Sequence, residues 1–203
     1  MTSPYETIGR PVGRAEGPAK VTGQAIFPAD VNLPGTLVGK CLRSPFPYAK
    51  IVSIDQNSIT AARQVAGVHA VLTADDIPAH LVGRMLRDMP ILARDVVRFA
   101  GQKVVAVAAE DDDIAEEALN LIHVEYEELD PILDPAEAMK PGASVLHPEL
   151  ATYAGLPDNV PTEPNAAGHS RWRNGDVEKG FAEADLIFEH TFKTNHQHQG
   201  YIE

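Results

Sequence analysis

Residues 96–129 constrain the fold of this chain more than any other stretch. Residues 102–109 form a short, almost uninterrupted apolar run, which is typical of a strand covered on both faces. The acidic run 110–113 follows and predicts a helix start, because carboxylates there accept hydrogen bonds from free backbone N–H groups. Apolar residues at helical spacing then predict one buried helix face: Ile114, Ala115, Ala118, Leu119 and Ile122. Residues 123–128 alternate like a half-exposed strand, so we expect a strand–helix–strand unit with a right-handed crossover.

Hydrophobic patterns predict further elements on both sides of this stretch. Strands are predicted over 36–43, 49–54, 68–73 and 185–203, and helices over 58–65 and 176–184. Asn57 or Ser58 is the expected cap of the first of these helices, and Phe181 is expected to face inward from the second. Asp75 and the residues after it predict a short helical turn. Residues 79–95 are ambiguous between a loop and a broken helix that a partner orders.

Glycine and proline recur through residues 1–35 and proline again through 130–175, which excludes long regular elements there. We expect an extended arm that lies over another surface, either of this chain or of a partner, with Val21, Ile26 and Phe27 as its anchors. We also expect a long linker that wraps a surface, with Trp172 as a candidate anchor. The glycines do not form a phosphate-binding loop, because neither GxGxxG after a strand nor GxxxxGK[ST] is present.

The charge balance limits the partners of the chain. It has 29 acidic and 17 basic residues, a net charge of −12 at pH 7, which argues against nucleic acid or an anionic membrane as a main partner. No apolar run is long enough for a membrane span, and residues 1–10 lack the apolar core of a signal peptide. The single cysteine, Cys41, excludes an internal disulfide and an internal iron–sulfur cluster, and it favours a cytoplasmic location. Cys41 is expected to be a small buried hydrophobe.

Histidines cluster near the end of the sequence, at His190, His196 and His198, with Glu203 close by. In a strand, His196 and His198 would share one face and could offer two nitrogen ligands to a metal. The spacing does not supply a complete ligand set, so these side chains are interpreted as solvated or placed against a partner.

Other polar side chains also fail to form a catalytic pattern. The carboxylates of 110–113, 116–117 and 125–128 fall on exposed positions, which argues against general acid–base catalysis. No nucleophile elbow is present. Arg43 is expected to pair with a surface carboxylate, the alternative being a recognition role, and His69 is expected on the surface. No catalytic, cofactor-binding or metal-binding residue is therefore predicted.

Five blocks of the sequence are similar, in order and spacing, to the signatures of one protein family. They are IGRPVGRAEGPAKVTGQAIFPAD (8–30), LVGKCLRSPFPYAKIVSID (37–55), GVHAVLTADDIP (67–78), FAGQKVVAVAAED (99–111) and NLIHVEYEELDPILDPAEAM (120–139). They resemble the large, molybdenum-carrying subunit of the xanthine dehydrogenase/aldehyde oxidase family. The resemblance implies an α+β fold, the α/β hammerhead, with a mixed β-sheet and packed helices. It also implies four segments: an arm (1–19), the hammerhead (20–140), a linker (141–175), and the first helix and strand of an incomplete molybdopterin-binding domain (176–203).

The chain departs from the family pattern at two places. Tyr48 stands where family members often have histidine, and the YIEP-type signature breaks off at Glu203. In the family, the pterin-holding glutamine loops, the glycine-rich loop and the base glutamate lie downstream of that signature. No functional residue is therefore carried over from the family, and we expect a split subunit or a truncated product.

The resemblance implies a role in a molybdenum hydroxylase. Such an assembly oxidises a C–H bond of an aldehyde or N-heterocycle with water as the oxygen source, and its cofactors perform the chemistry. Molybdopterin, iron–sulfur clusters and FAD are expected on the rest of the assembly: the remaining molybdopterin-binding polypeptide, an iron–sulfur subunit and an FAD subunit. This chain would be the scaffold, with an unpaired edge at 185–203 that exposes Phe188, Phe192 and Tyr201. The alternatives are a stand-alone hammerhead binding or assembly module without catalysis, and a small metal-binding protein that uses the three histidines.

Overall fold

The computed structural model describes residues 8–9, 11–156, 165–166, 168–195, 197–198 and 200. The chain divides into a larger unit, residues 37–183, and a smaller unit that combines residues 1–36 with 184–203. The strands are β1 (Val38–Arg43), β2 (Ala49–Ile54), β3 (Val68–Leu72), β4 (Leu81–Val82), β5 (Met89–Pro90), β6 (Val96–Val97), β7 (Lys103–Ala109) and β8 (Val124–Glu128). The α-helices are α1 (Gly17–Val21), α2 (Gln56–Arg63), α3 (Asp112–Leu121), α4 (Pro135–Ala138) and α5 (Val177–Glu183).

The strands of the larger unit form three small sheets. Their orders are β1-β7-β3, β6-β2-β8 and β4-β5, and every pairing between these strands is antiparallel. The α+β class is thus confirmed, but the right-handed crossover is wrong, because β7 and β8 belong to different sheets. The local pattern gives the order strand, helix, strand. The partner of β8 is instead set by long-range packing, in which Tyr126 lies opposite Ile51 of β2.

The core lies where β7 meets the two longest helices. Val104 and Val105 are fully buried, which confirms that β7 is covered on both faces. The helices present small side chains to the core, since Ala62 of α2 and both Ala115 and Ala118 of α3 are fully buried. Small residues at these positions let the helices approach the sheet and each other closely.

Helix α3 begins as the acidic run predicts. The Asp111 carboxylate accepts a hydrogen bond from the backbone N–H of Ile114 over 2.8 Å and caps the helix. Lys40 of β1 forms ion pairs with Asp112 (3.1 Å) and Glu116 (2.9 Å). The hydrogen bond to Glu116 is the main cause of the raised pKa of Lys40. These pairs connect the exposed side of α3 to the edge strand β1.

Helix α2 begins earlier than predicted, and its cap is Asp55 rather than Asn57 or Ser58. The Asp55 carboxylate accepts from the backbone N–H groups of Asn57 (3.0 Å) and Ser58 (3.3 Å). Ser58 therefore lies inside the first turn, and its buried hydroxyl makes other hydrogen bonds. It donates to the Asp55 carbonyl oxygen (2.6 Å) and accepts from the His123 N–H (3.1 Å).

Residues 79–95 contain a short hairpin, not the loop or broken helix that the sequence left open. Strands β4 and β5 pair with each other, with Leu81 opposite Pro90 and Val82 opposite Met89. The preceding helical turn is confirmed as a 3-10 turn, Ala74–Asp76. The backbone N–H of Thr73 donates to Asp76 over 2.8 Å and is the main cause of the lowered pKa of that carboxyl group.

Residues 139–156 belong to the larger unit, and their backbone carbonyl groups accept hydrogen bonds from its other segments. Arg98 Nε donates to the Leu146 carbonyl oxygen (2.8 Å), and the Arg87 N–H donates to that of Ala154 (2.9 Å). Further on, Trp172 is 95% exposed, so it does not anchor the linker on this chain, and its role as an anchor on a partner stays a prediction.

The C-terminal helix is confirmed as α5, but Phe181 is 55% exposed and does not face inward as predicted. The predicted strand over 185–203 is wrong for its described residues, none of which has regular secondary structure. Alternation predicts which side chains share a face, but a strand also needs a hydrogen-bonded neighbour. The described helices are too short or too polar to cross a lipid bilayer.

The arm has little regular structure, as its glycines and prolines predict. It holds α1 and a 3-10 turn, Pro28–Asp30. Val21 and Ile26 are largely exposed and Phe27 is half-buried, so the three residues do not all anchor the arm on this chain, and their contact with a partner stays a prediction. The Arg14 guanidinium beside Glu16 lowers the pKa of that exposed carboxyl group.

Candidate functional site

The described histidines of the C-terminal cluster are exposed. His190 lies beside Phe192, with ring centroids 6.1 Å apart, and His198 is solvent-exposed. His196 and Glu203 lie outside the described residues. Within the described ranges, no group of three or more His, Cys, Asp or Glu side chains is placed to hold a metal ion. The metal-binding hypothesis for this cluster is therefore untested.

The carboxylates of 110–113, 116–117 and 125–128 are exposed, and several contact polar neighbours on the surface. Glu110 lies 3.4 Å from His69 Nε2, which confirms His69 as a surface residue. Glu125 accepts from the Ser53 hydroxyl (3.1 Å), and Glu127 pairs with Lys50 (3.1 Å). These contacts hold neighbouring elements together and form no paired-carboxylate site.

The structure corrects the predictions for Arg43 and Cys41. Arg43 Nη1 donates to the Gly101 carbonyl oxygen over 2.9 Å, rather than to a surface carboxylate. The sequence does not show this, because the glycine turn before β7 meets the end of β1 only in the fold. Cys41 is half-buried, not buried, because β1 is an edge strand.

A cleft of about 650 Å³ lies in the larger unit, between the β4–β5 hairpin and residues 149–154. Its charged lining residues are three arginines and three acids: Arg87, Arg94, Arg98, Asp88, Asp95 and Glu149. The Arg94 guanidinium donates to the Asp75 carboxylate and to the Ala74 carbonyl oxygen. Because Arg98 Nε is also hydrogen-bonded within the chain, two of the three guanidinium groups already have internal partners.

A histidine–tyrosine pair lies beside this cleft. His147 Nδ1 and the Tyr153 hydroxyl are 3.0 Å apart, and their rings meet edge to face at 84°. Burial lowers the pKa of His147, and the nearby Arg98 lowers it further. Burial also raises the pKa of Tyr153. Sequence reasoning missed this pair, because the proline-rich segment has no periodicity that distinguishes its polar residues.

A second tyrosine is notable for its hydroxyl group. Tyr126 packs edge to face against Phe46, with centroids 5.3 Å apart, and its hydroxyl is buried without a hydrogen-bond partner among the described residues. Burial raises the pKa of this phenol. The alternation of β8 predicts an inward-facing ring, but no sequence signal indicates a buried hydroxyl.

Comparison with known proteins places this geometry in a family. The model "Aldehyde oxidase and xanthine dehydrogenase, a/b hammerhead domain" matches residues 22–130, more than half of the chain. A probable xanthine dehydrogenase subunit of Bacillus subtilis (strain 168) is 39% identical over 94% of this chain and 23% of its own length. The nicotinate dehydrogenase large molybdopterin subunit of Eubacterium barkeri is 32% identical over 100% of this chain and 44% of its own length.

A solved structure supports the same placement. The crystal structure of the Cu,Mo-CO dehydrogenase in its carbon monoxide reduced state matches with a TM-score of 0.68 and 33% identity. The match covers 88% of this chain and 23% of that chain. The chain thus spans less than half the length of these relatives. The resemblance inferred from the five sequence blocks is confirmed: the chain belongs to the aldehyde oxidase and xanthine dehydrogenase family and contains its a/b hammerhead domain.

Proposed function

We propose that the chain supplies the hammerhead portion of the large subunit of a molybdenum hydroxylase. The assembly oxidises an aldehyde or an N-heterocycle at a C–H bond, with water as the oxygen source. Membership of the family supports this proposal, as does the similarity to a nicotinate dehydrogenase large molybdopterin subunit. In such an assembly, the chain positions other polypeptides and does not react itself.

The observation that best supports this proposal is a run of exposed apolar side chains in the smaller unit. Leu186, Ile187, Phe188 and Phe192 are between 60% and 89% exposed. Exposed apolar patches mark surfaces that another molecule covers, and large aromatic side chains contribute most of the energy when they are buried. The proposed cover is the remaining molybdopterin-binding polypeptide, whose strands would pair with residues 185–203.

In the proposed assembly, the other polypeptides hold the molybdopterin and the metal centres, and this chain holds none. In the cleft, the carboxylates of Asp88, Asp95 and Glu149 would meet the pterin phosphate with like charge. The guanidinium groups of Arg94 and Arg98 are hydrogen-bonded within the chain. A single cysteine cannot hold an iron–sulfur cluster. No step of the oxidation is therefore assigned to this chain.

The remaining partners and the segment boundaries are part of the same proposal. An iron–sulfur subunit and an FAD subunit carry electrons away from the molybdenum, in a reducing cytoplasm. The hammerhead occupies residues 20–140, and the arm (1–19) and linker (141–175) pack against these partners. Their prolines support this role, since they reduce the entropy lost when a segment becomes ordered. Residues 176–203 begin the molybdopterin-binding domain.

Reconstitution with defined partners tests the proposal. The full chain is co-expressed with the molybdopterin-binding, iron–sulfur and FAD polypeptides, and both complex formation and dye-linked substrate oxidation are measured. We expect activity only with all components present, and loss of the complex in Phe188→Ser/Phe192→Ser. Met85→Ser, which alters an equally exposed apolar side chain of the larger unit, is the matched control.

Two outcomes would count against the proposal. Sustained oxidation by the isolated chain would show that it has a reactive centre of its own. A stable closed oligomer that ignores all three partners would favour the stand-alone binding module. In that case Phe188→Ser/Phe192→Ser would leave partner binding undetectable, as in the unsubstituted chain.

A further inference from the structure

A groove in the larger unit combines apolar walls with two cations and lacks carboxylates. It has a volume of about 190 Å³ and lies between the β4–β5 hairpin and the start of β7. None of its lining residues is acidic. The charged and large apolar side chains that line it are Arg43, Val82, Met89, Ile91, Phe99 and Lys103. In a chain with 29 acidic and 17 basic residues, this local charge is opposite to the overall charge.

The two cations are direct neighbours across the sheet. Arg43 of β1 lies opposite Lys103 of β7, just after the irregularity in that pairing. Like charges at directly opposed positions destabilise a sheet. Arg43 donates to the carbonyl oxygen of Gly101, and neither cation has a carboxylate partner among the described residues. Lys40 on the same sheet and Lys50 on the β6-β2-β8 sheet do have such partners. Among the described residues, no carboxylate therefore neutralises the two positive charges of Arg43 and Lys103.

The walls of the groove are exposed apolar side chains. Val82, Met89, Ile91 and Phe99 are between 42% and 50% exposed although they lie together. Methionine and phenylalanine are enriched where proteins bind one another, and carboxylates are depleted there. A partner that fits this groove would offer an apolar side chain to the walls and a negative charge to the rim.

We propose that this groove docks a polypeptide segment of a partner subunit in which a carboxylate lies beside an apolar side chain. The apolar side chain enters between Met89 and Phe99, and the carboxylate pairs with Arg43 and Lys103. The inference rests on the proposed function, because the partner is one of the polypeptides of the hydroxylase assembly. Since the rim is exposed, the interaction weakens with salt.

The test measures binding of the full chain to the purified partner polypeptides at low and high salt. Arg43→Glu/Lys103→Glu reverses both rim charges and should weaken binding by about tenfold or more. Arg43→Lys/Lys103→Arg preserves the charges and should stay within about twofold. Arg84→Glu/Lys140→Glu makes the same charge change at exposed positions outside the groove, the arm and the linker, and should also stay within about twofold.

A second variant covers the case in which the double reversal fails to fold. Met89→Glu changes a half-exposed hairpin residue, places a carboxylate beside the cations, and should weaken binding about as much as the double reversal. Thermal unfolding establishes which variants are folded. If folded groove variants bind the partners like the unsubstituted chain, the inference that the groove binds a partner is wrong, and the proposed function still stands.

Two further outcomes are distinguishable from that one. If the unsubstituted chain binds no partner polypeptide, the proposed function and the groove inference both fail. If the chain alone forms dimers that Arg43→Glu/Lys103→Glu dissociates, the occupant is a second copy of the chain. That result would overturn the assignment to a partner polypeptide.

Discussion

The hydroxyl group of Ser58 accepts a hydrogen bond from the backbone N–H of His123 over 3.1 Å, 65 residues away in sequence. The Asp55 N–H donates to the His123 carbonyl oxygen over 3.0 Å. These two bonds tie the start of α2 to the start of β8. We expect Ser58→Ala to lower the free energy of unfolding by about 1–2 kcal/mol, because it leaves a partly buried donor without its partner. Urea unfolding of the full chain measures this change.

Thr60→Ala is the control for that substitution. Thr60 lies on the same helix, but its hydroxyl donates only to the Gln56 carbonyl oxygen at an exposed position. Its removal should change stability by no more than about 0.5 kcal/mol. Equal effects of the two substitutions would show that the bond to His123 contributes nothing.

Gly67 is held in a conformation that other residues rarely adopt. Its φ is +87°, and a Cβ added there would lie 2.7 Å from Ile114 Cδ1 of α3. Gly67→Ala should therefore destabilise the protein by about 1–3 kcal/mol, through both the backbone strain and the close contact. Gly39→Ala is the matched control, since no atom lies within 4 Å of a Cβ at that position.

A double-mutant cycle separates the two causes. Ile114→Val removes the Cδ1 atom and should cost about 0.5–1.5 kcal/mol alone. Combined with Gly67→Ala, it should cost less than the sum of the single changes, because the clash is relieved and only the backbone strain remains. Strict additivity would mean that the contact with Ile114 is not a source of the destabilisation.

The elements predicted well are those specified by local sequence. The acidic start and the apolar face of α3 follow from a dozen consecutive residues, and the structure confirms both, with Asp111 as the cap. Sheet membership does not follow in this way, because β7 finds its partners in β1 and β3 rather than in β8. The alternation of residues 185–192 is as clear as that of β8. Without a hydrogen-bonded neighbour in the described chain, it does not produce a strand.

The candidate sites were largely beyond sequence reasoning, for a similar reason. Arg43 and Lys103 are 60 positions apart and become neighbours only through strand pairing. Residues 79–95 lack a clear period, because a hairpin of two-residue strands is too short to show one. Family membership, by contrast, could be inferred from the sequence, since each signature block is a contiguous stretch of residues.

Asn165 connects three parts of the proline-rich segment. Its Nδ2 donates to the carbonyl oxygens of Ala138 and Ser144, each over 2.9 Å, and its Oδ1 accepts from the Leu146 N–H over 2.9 Å. We expect Asn165→Ala to accelerate hydrogen exchange at the Leu146 amide by about tenfold, because the loss of these bonds frees the segment. Mass spectrometry or NMR of the full chain measures this rate.

Two variants make that prediction specific. Asn165→Asp retains the acceptor for the Leu146 N–H but loses both donated bonds, so its exchange rate should be intermediate. Asn120→Ala, at an exposed position on α3, should leave the Leu146 amide unchanged. The prediction is wrong if Asn165→Ala and Asn120→Ala give the same exchange rate.

The pair of His147 and Tyr153 should make stability depend on pH. Burial and the charge of Arg98 lower the pKa of His147 in the folded state below its unfolded value. The unfolded state therefore binds the proton first as the pH falls, so this histidine stabilises the fold fully above about pH 6.5 and progressively less below it. The neutral ring can also accept a hydrogen bond at Nδ1 from the Tyr153 hydroxyl, whose oxygen lies 3.0 Å away, whereas the imidazolium ring cannot.

Comparison with His147→Gln isolates this effect. Glutamine does not titrate, so we expect the free energy of unfolding of the variant to fall less than that of the unsubstituted chain between pH 7.5 and pH 5.5. The carboxyl groups are common to both proteins, so their contribution cancels in the difference. Tyr153→Phe retains the buried imidazole but removes the hydroxyl, so part of the slope should persist, because desolvation is the largest cause of the shift. Parallel pH profiles for the unsubstituted chain and His147→Gln would show that His147 is not the titrating group.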